Sequence, residues 1–130
     1  VLRLAERDPV VGFDGSGVTV AVIDSGVQAD HPDLAGSVVD ERCFCVGCCP
    51  NGSSTQSGPG AAADDHGHGT HVTGILAGRG VLASRGVAPG ASVVAVKVLD
   101  ADNRFCCTSD VVAAMDWVAT AHPGVKVVNL

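Results

Sequence analysis

Three short apolar runs constrain the fold more than anything else in this chain. Residues 18–23, 92–99 and 125–130 carry β-branched and other apolar side chains at consecutive rather than alternate positions. A strand of that composition has both faces buried, which occurs in parallel sheets covered by helices on each side. The intervening sequence supplies the helices. One is expected over about 68–77. A second is expected over about 110–119, with Ser109 as N-cap and Val111, Met115, Val118 and Ala119 on one face, stopped by His122-Pro123-Gly124. Met115 and Trp117 are expected in the core. The expected fold is therefore α/β, a parallel sheet with right-handed crossovers and helices on both faces. At 130 residues the chain is one domain or part of one. Its last apolar run is expected to be an interior strand, so the sheet is expected to be incomplete without self-association or a further carboxy-terminal segment.

Charge and hydropathy exclude several classes. A net charge of −6 with no cluster of Lys or Arg argues against a nucleic-acid or anionic-membrane surface. No apolar run approaches the roughly 20 residues needed to span a bilayer, and no signal-peptide pattern opens the chain. The six cysteines, Cys43, Cys45, Cys48, Cys49, Cys106 and Cys107, point to an oxidising, extracellular or cell-envelope location. Disulfides, a thiolate metal site holding zinc, and free thiols all remain open for them. Bonds between the two groups would tie two distant loops together, at about 2–4 kcal/mol per bridge. Residues of about 41–63 are rich in Gly, Ser, Pro and Cys without periodicity, and are expected to form a surface insertion.

The chemistry concentrates at two places. Asp24 follows the first run directly, so a carboxylate stands at the carboxyl end of a buried strand, where active sites of parallel sheets gather. His68, between Gly67 and Gly69, opens the first helix. A buried carboxylate that accepts the Nδ1 hydrogen of an imidazole fixes its tautomer and stabilises the imidazolium formed on proton transfer. The helix amino terminus is expected to lower the imidazole pKa, and neighbouring acids to raise it modestly. His71 is expected to be a buried structural residue, His66, Asp64 and Asp65 to be solvated, His31 to support its Pro-Asp turn, and His122 to interact with the carboxyl end of the second helix.

The segments Val20-Ala21-Val22-Ile23-Asp24-Ser25-Gly26, His31-Pro32-Asp33-Leu34, His68-Gly69-Thr70-His71-Val72-Thr73-Gly74 and Gly86-Val87-Ala88-Pro89 occur in an order that resembles the subtilisin-like serine peptidases, the subtilases. The resemblance covers residues of about 15–130. It implies a serine endopeptidase of polypeptide substrates with Asp24 as the orienting aspartate, His68 as general base, and Ser25 as a structural neighbour. It also implies that the nucleophilic serine and the oxyanion-hole asparagine lie beyond the equivalent of Leu130, so that this stretch is the amino-terminal part of a catalytic domain and inactive alone. Asp102, Asn103, Arg104, Phe105, Cys106, Cys107 and Thr108 match the edge segment that pairs with an extended substrate. No cofactor is required. The loop 79–85 lacks the Asn and Asp ligands of the family's calcium site.

Two rival functions rest on other features. His66, His68 and His71 have the spacing of a zinc metallohydrolase cluster, although Thr70 stands where such a fold has its aspartate ligand. The cysteines alone would suit a metal-binding or disulfide-stapled interaction module.

Overall fold

The computed structural model describes residues 12–130. The first eleven residues, which make up most of the irregular segment expected before the first strand, lie outside them. Seven elements follow one another: β1 (Thr19–Asp24), β2 (Val38–Phe44), β3 (Thr55–Ser57), α1 (His68–Ala77), β4 (Ser92–Lys97), α2 (Thr108–Ala121) and β5 (Val127–Asn129). The strands form one sheet in the order β3-β2-β4-β1-β5. β1 pairs in parallel with β4 and β5, β2 pairs in parallel with β4, and only β3 runs antiparallel, against β2.

The doubly buried strands behave as their composition requires. Val22 and Val93 pack with Val72, Leu76 and Ala77 of α1. Ala21, Ile23, Val94 and Val96 face the other way, onto Ala114 and Val118 of α2. Successive strand residues thus serve opposite faces, and helices cover both sides of the sheet. Burying a Val or Ile of this kind contributes about 1.5–3 kcal/mol.

Several expectations require correction. Residues 41–63 are not wholly an insertion, because 41–44 complete β2 and 55–57 form β3. α2 begins two residues early, at Thr108, with Cys107 rather than Ser109 at the cap. Its buried residues are Asp110, Ala114 and Val118, with Val111 and Trp117 packed beside them. Met115 is half exposed and Ala119 is exposed, so the apolar stripe is rotated from the expected one. His122 caps α2 through its backbone, while its Nε2 lies 3.0 Å from an Asp40 carboxylate oxygen and its ring stands edge-on to Trp117.

The cysteines pair within their groups, Cys43 with Cys49, Cys45 with Cys48, and Cys106 with Cys107. No covalent bond joins the two groups. Their link is a hydrogen bond from the Val46 N–H to the buried carboxylate of Asp110, at 3.2 Å, which ties the cysteine loop to the start of α2.

Candidate active site

β1 ends on Asp24 and α1 begins on His68, and the sheet brings the two together. His68 Nδ1 lies 2.8 Å from one Asp24 carboxylate oxygen and 3.0 Å from the other. The Asp24 side chain is 6% exposed and that of His68 47%, so the carboxylate is shielded while the far edge of the ring opens to solvent. Asp24 has only acceptors, which places the neutral ring's hydrogen on Nδ1 and leaves a lone pair on Nε2. Among the described residues no hydrogen bond engages Nε2.

The Asp24 hydrogen bond, and then its charge, raise the His68 imidazole above its ordinary value; desolvation opposes them and Asp64 adds to them. This reverses the lowering expected from the helix terminus. A carboxylate in contact outweighs the fractional charge of a helix end. Because the folded value is raised, the ion pair stabilises the fold below the ordinary imidazole pKa, and that contribution disappears as pH rises through the raised value.

A second carboxylate holds the pair in place. Asp64 accepts hydrogen bonds from the Ser25 hydroxyl at 2.9 Å, from the N–H groups of His66, Gly67 and Thr70 at 3.1, 2.9 and 2.9 Å, and from the Thr70 hydroxyl. The Ser25 hydroxyl in turn accepts the Gly69 N–H at 2.9 Å. The residue after Asp24 is thereby laced to the first turn of α1, satisfying amides that a helix start leaves unpaired. Both partners of the Ser25 hydroxyl are structural. Asp64 is therefore not merely solvated, as expected, but a clamp.

Burial alone would push the Asp64 carboxyl up; the Thr70 hydroxyl and the three amides outweigh it and bring the value down to about 2. A depressed carboxyl contributes stability that is present above its unfolded value and is lost as pH falls through the folded one. Denaturant unfolding at a series of pH values should show stability dropping between about pH 4 and 2, with a shallower drop in Asp64→Asn. Equal slopes for the two proteins would remove this role from Asp64.

Glycine is required at Gly69, where a Cβ would collide with the Gly26 carbonyl oxygen and crowd Asp24. At Gly67 the requirement is conformational: φ is +100° and the surroundings are open.

The remaining expected residues fall in various places. Asp65, expected to be solvated, pairs at 2.6 Å with Lys97, a buried residue that the sequence reading passed over. The signal for Lys97 was present, as a lone ammonium within an otherwise apolar strand. His31 supports its turn by accepting the Asp33 N–H at 3.2 Å. His66 is exposed as expected. His71 is exposed rather than buried, because α1 turns Gly69, Thr73 and Ala77 inward. His66, His68 and His71 do not converge. Among the described residues, the one grouping with ligand atoms close enough for a metal is Cys106, Cys107 and Asp110, and its sulfurs are joined in a disulfide. The zinc metallohydrolase reading therefore has no ligand set.

The loop 79–85 wraps the carboxylate of Asp33. Its N–H groups at Val81, Leu82 and Ala83 all donate to that carboxylate. Burial acts to raise the Asp33 carboxyl, and these amides hold it below its ordinary range.

The expected substrate edge lies beyond the carboxyl end of β4, the neighbour of β1. Asp102 and Asn103 sit in a tight turn in which Asp100 accepts the N–H groups of Asp102 and Arg104, and Asn103 has φ of +60°. Arg104 pairs with Asp102. Thr108 is the first residue of α2. Arg104 closes the turn, its N–H and carbonyl both bonded to Asp100, and only residues 105–107, including the exposed Phe105 and the Cys106–Cys107 disulfide, are left outside the turn and the helix.

Comparison with known proteins bears on this geometry. A family model described as the Subtilase family matches residues 15–130. Thermitase of Thermoactinomyces vulgaris is 39% identical over 119 residues, covering 90% of this chain and 38% of the relative. Subtilisin BL of Lederbergia lenta is 39% identical over 123 residues, covering 92% and 38%. Among solved structures, Sphericase superposes with a TM-score of 0.71 at 31% identity, covering 89% of this chain and 37% of that one. The chain thus spans about 38% of the length of these curated relatives. A parallel sheet with helices on both faces, an aspartate at the end of its first strand in contact with a histidine at the start of its first helix, and this match across nearly the whole sequence lead to one conclusion: the chain belongs to the subtilase family of peptidases.

Proposed function

We propose that this chain is the amino-terminal part of a secreted serine endopeptidase, in which Asp24 orients His68 and polypeptide beyond residue 130 supplies the nucleophilic serine and the oxyanion-hole asparagine. The observation that carries the reading is the contact of Nδ1 with both Asp24 oxygens while Nε2 faces outward. An imidazole held in this way can act as a base only through its outer nitrogen.

In the proposed cycle, Nε2 removes the serine hydroxyl proton as the oxygen attacks the scissile carbonyl, and the imidazolium is stabilised by Asp24. The same proton passes from Nε2 to the departing amine, leaving an acyl-enzyme. A water then attacks the acyl carbonyl as Nε2 takes its proton, and the imidazolium returns that proton to the departing serine oxygen, releasing the acid and restoring the enzyme. A polypeptide substrate lies along residues 105–107, downstream of the turn that Arg104 closes, and pairs through its main chain. The metal-independent acid–base chemistry of these side chains requires no cofactor.

Support for secretion comes from the three disulfides and from a relative described as an extracellular serine proteinase of Thermus, 33% identical over 116 residues. No helix of the described residues is long and apolar enough to cross a membrane. A net charge of −6 without a Lys or Arg cluster argues against a nucleic-acid partner. Val127, Val128 and Leu130 are exposed on and beside the edge strand β5, and Val112 and Met115 on α2. This apolar surface suits coverage by the remainder of the catalytic domain, and in isolation the chain would self-associate through it.

The test is covalent labelling of the full-length gene product with a fluorophosphonate probe specific for activated serines. Labelling is expected, and is expected to vanish in His68→Ala. An unlabelled, folded full-length protein would overturn the reading.

A further inference from the structure

Lys97 closes β4 in register with Asp24, on the last rung shared by the two strands. Its side chain is fully buried. A buried ammonium is costly unless all of its donors are satisfied and its charge is matched. Here all three N–H donors are used, on the Ser25 carbonyl at 2.8 Å, the Leu99 carbonyl at 2.7 Å and the Asp65 carboxylate at 2.6 Å.

The choice of partners is informative. Ser25 follows Asp24 directly, and Asp65 lies in the loop that leads into His68 three residues later. Leu99 lies just beyond β4, on the chain leading to the 105–107 segment. One rigidly held cation therefore joins the backbone that sets Asp24, the loop that sets His68, and the chain leading to the proposed substrate edge. The Asp64–Ser25–Gly69 clamp ties the same two segments from another side, through neutral and carboxylate acceptors. A methionine of similar volume would fill the space and pack against the apolar neighbours, but it could not link these three segments.

We propose that Lys97 is a positioning residue for the Asp24–His68 pair, fixing their contact through the Ser25 carbonyl and the Asp65 carboxylate without touching substrate. This rests on the functional reading above. It adds a residue remote from the reacting atoms, and it explains why a charged side chain occupies the most buried strand of the sheet.

The test reads the Nδ1–H···Asp24 hydrogen bond itself, by NMR on the complete peptidase with the imidazole neutral. The observable is the low-field Nδ1 proton of His68 and its exchange with water, and amide spectra and thermal unfolding report the fold. Lys97→Met and Asp65→Ala are compared with wild type, and Asp24→Asn serves as the reference for a broken pair. Asp65→Ala changes a half-exposed side chain and is retained in case Lys97→Met does not fold. Exchange should speed up by roughly tenfold in either variant while the amide spectrum of the sheet is kept. Wild-type exchange in folded Asp65→Ala, or in folded Lys97→Met, would overturn the positioning role. If Asp24→Asn itself leaves the Nδ1 proton unchanged, the failure lies instead with the Asp24–His68 pair and the functional reading.

Discussion

His68→Ala is expected to lower turnover of the complete peptidase by about 10⁶, the magnitude measured in subtilisin when the base of its triad is removed. The size follows from how the residues act as a unit. Without Nε2 the serine hydroxyl keeps its proton and the departing amine receives none, so both halves of the cycle lose their acid–base partner. Binding is expected to survive, because the proposed substrate edge, residues 105–107, remains and the imidazole contributes only its exposed edge. KM should therefore change little while kcat collapses. Substrate-concentration series on wild-type and variant enzyme check this, with active-site titration to count competent molecules. A variant that keeps more than about a tenth of wild-type kcat would show that some other group serves as base.

Asp24→Asn should lower turnover by about 10⁴, as the corresponding change does in other serine triads. The amide keeps the size of the carboxylate but can present an N–H to Nδ1. The ring hydrogen is then driven to Nε2, and the nitrogen that must accept the serine proton is already occupied. The fold should change little, since Asp24 is replaced by a near-isostere and the clamp through Asp64, Ser25 and Gly69 does not depend on it. The pH profile distinguishes this variant from His68→Ala. Asp24 is the largest cause of the raised His68 value, so its neutralisation moves the acid limb of kcat/KM to lower pH. His68→Ala should abolish that limb. Wild-type turnover in Asp24→Asn would contradict the orienting role.

What the sequence made legible was local. The strand that delivers Asp24 is a run of adjacent apolar residues, and α1 spans 68–77 as the glycine-flanked histidine and its following pattern indicate. β2 was missed because Asp40, Glu41 and Arg42 interrupt its apolar residues and its partners are distant in sequence. β3 has three residues and no pattern of its own. The supporting network was hidden for the same reason. The Lys97–Asp65 contact spans 32 residues, the Ser25–Asp64 contact 39 and the Lys97–Ser25 contact 72, and no local signal reports such pairings. Asp64 and Asp65 looked like solvated loop acids because acidity alone does not reveal which donors the fold will aim at them. The cysteine pairing was not legible, because spacing alone does not choose among the possible partners: neighbours in sequence pair, and the two groups are linked through Asp110 and the Val46 amide. Met115 failed as a core residue because the apolar positions of α2 are wide enough to permit two orientations, and packing against Ile23 and Val96 selected the one that turns Ala114 inward.

An NMR titration of His68 in the complete peptidase tests the heart of the proposal most directly. A carboxylate bound at Nδ1 should give His68 a midpoint above the ordinary imidazole value, falling back toward it in Asp24→Asn. A wild-type midpoint at the ordinary value, unmoved by Asp24→Asn, would mean that the two side chains are not paired in solution, and the assignment of His68 as an oriented base would fall with it.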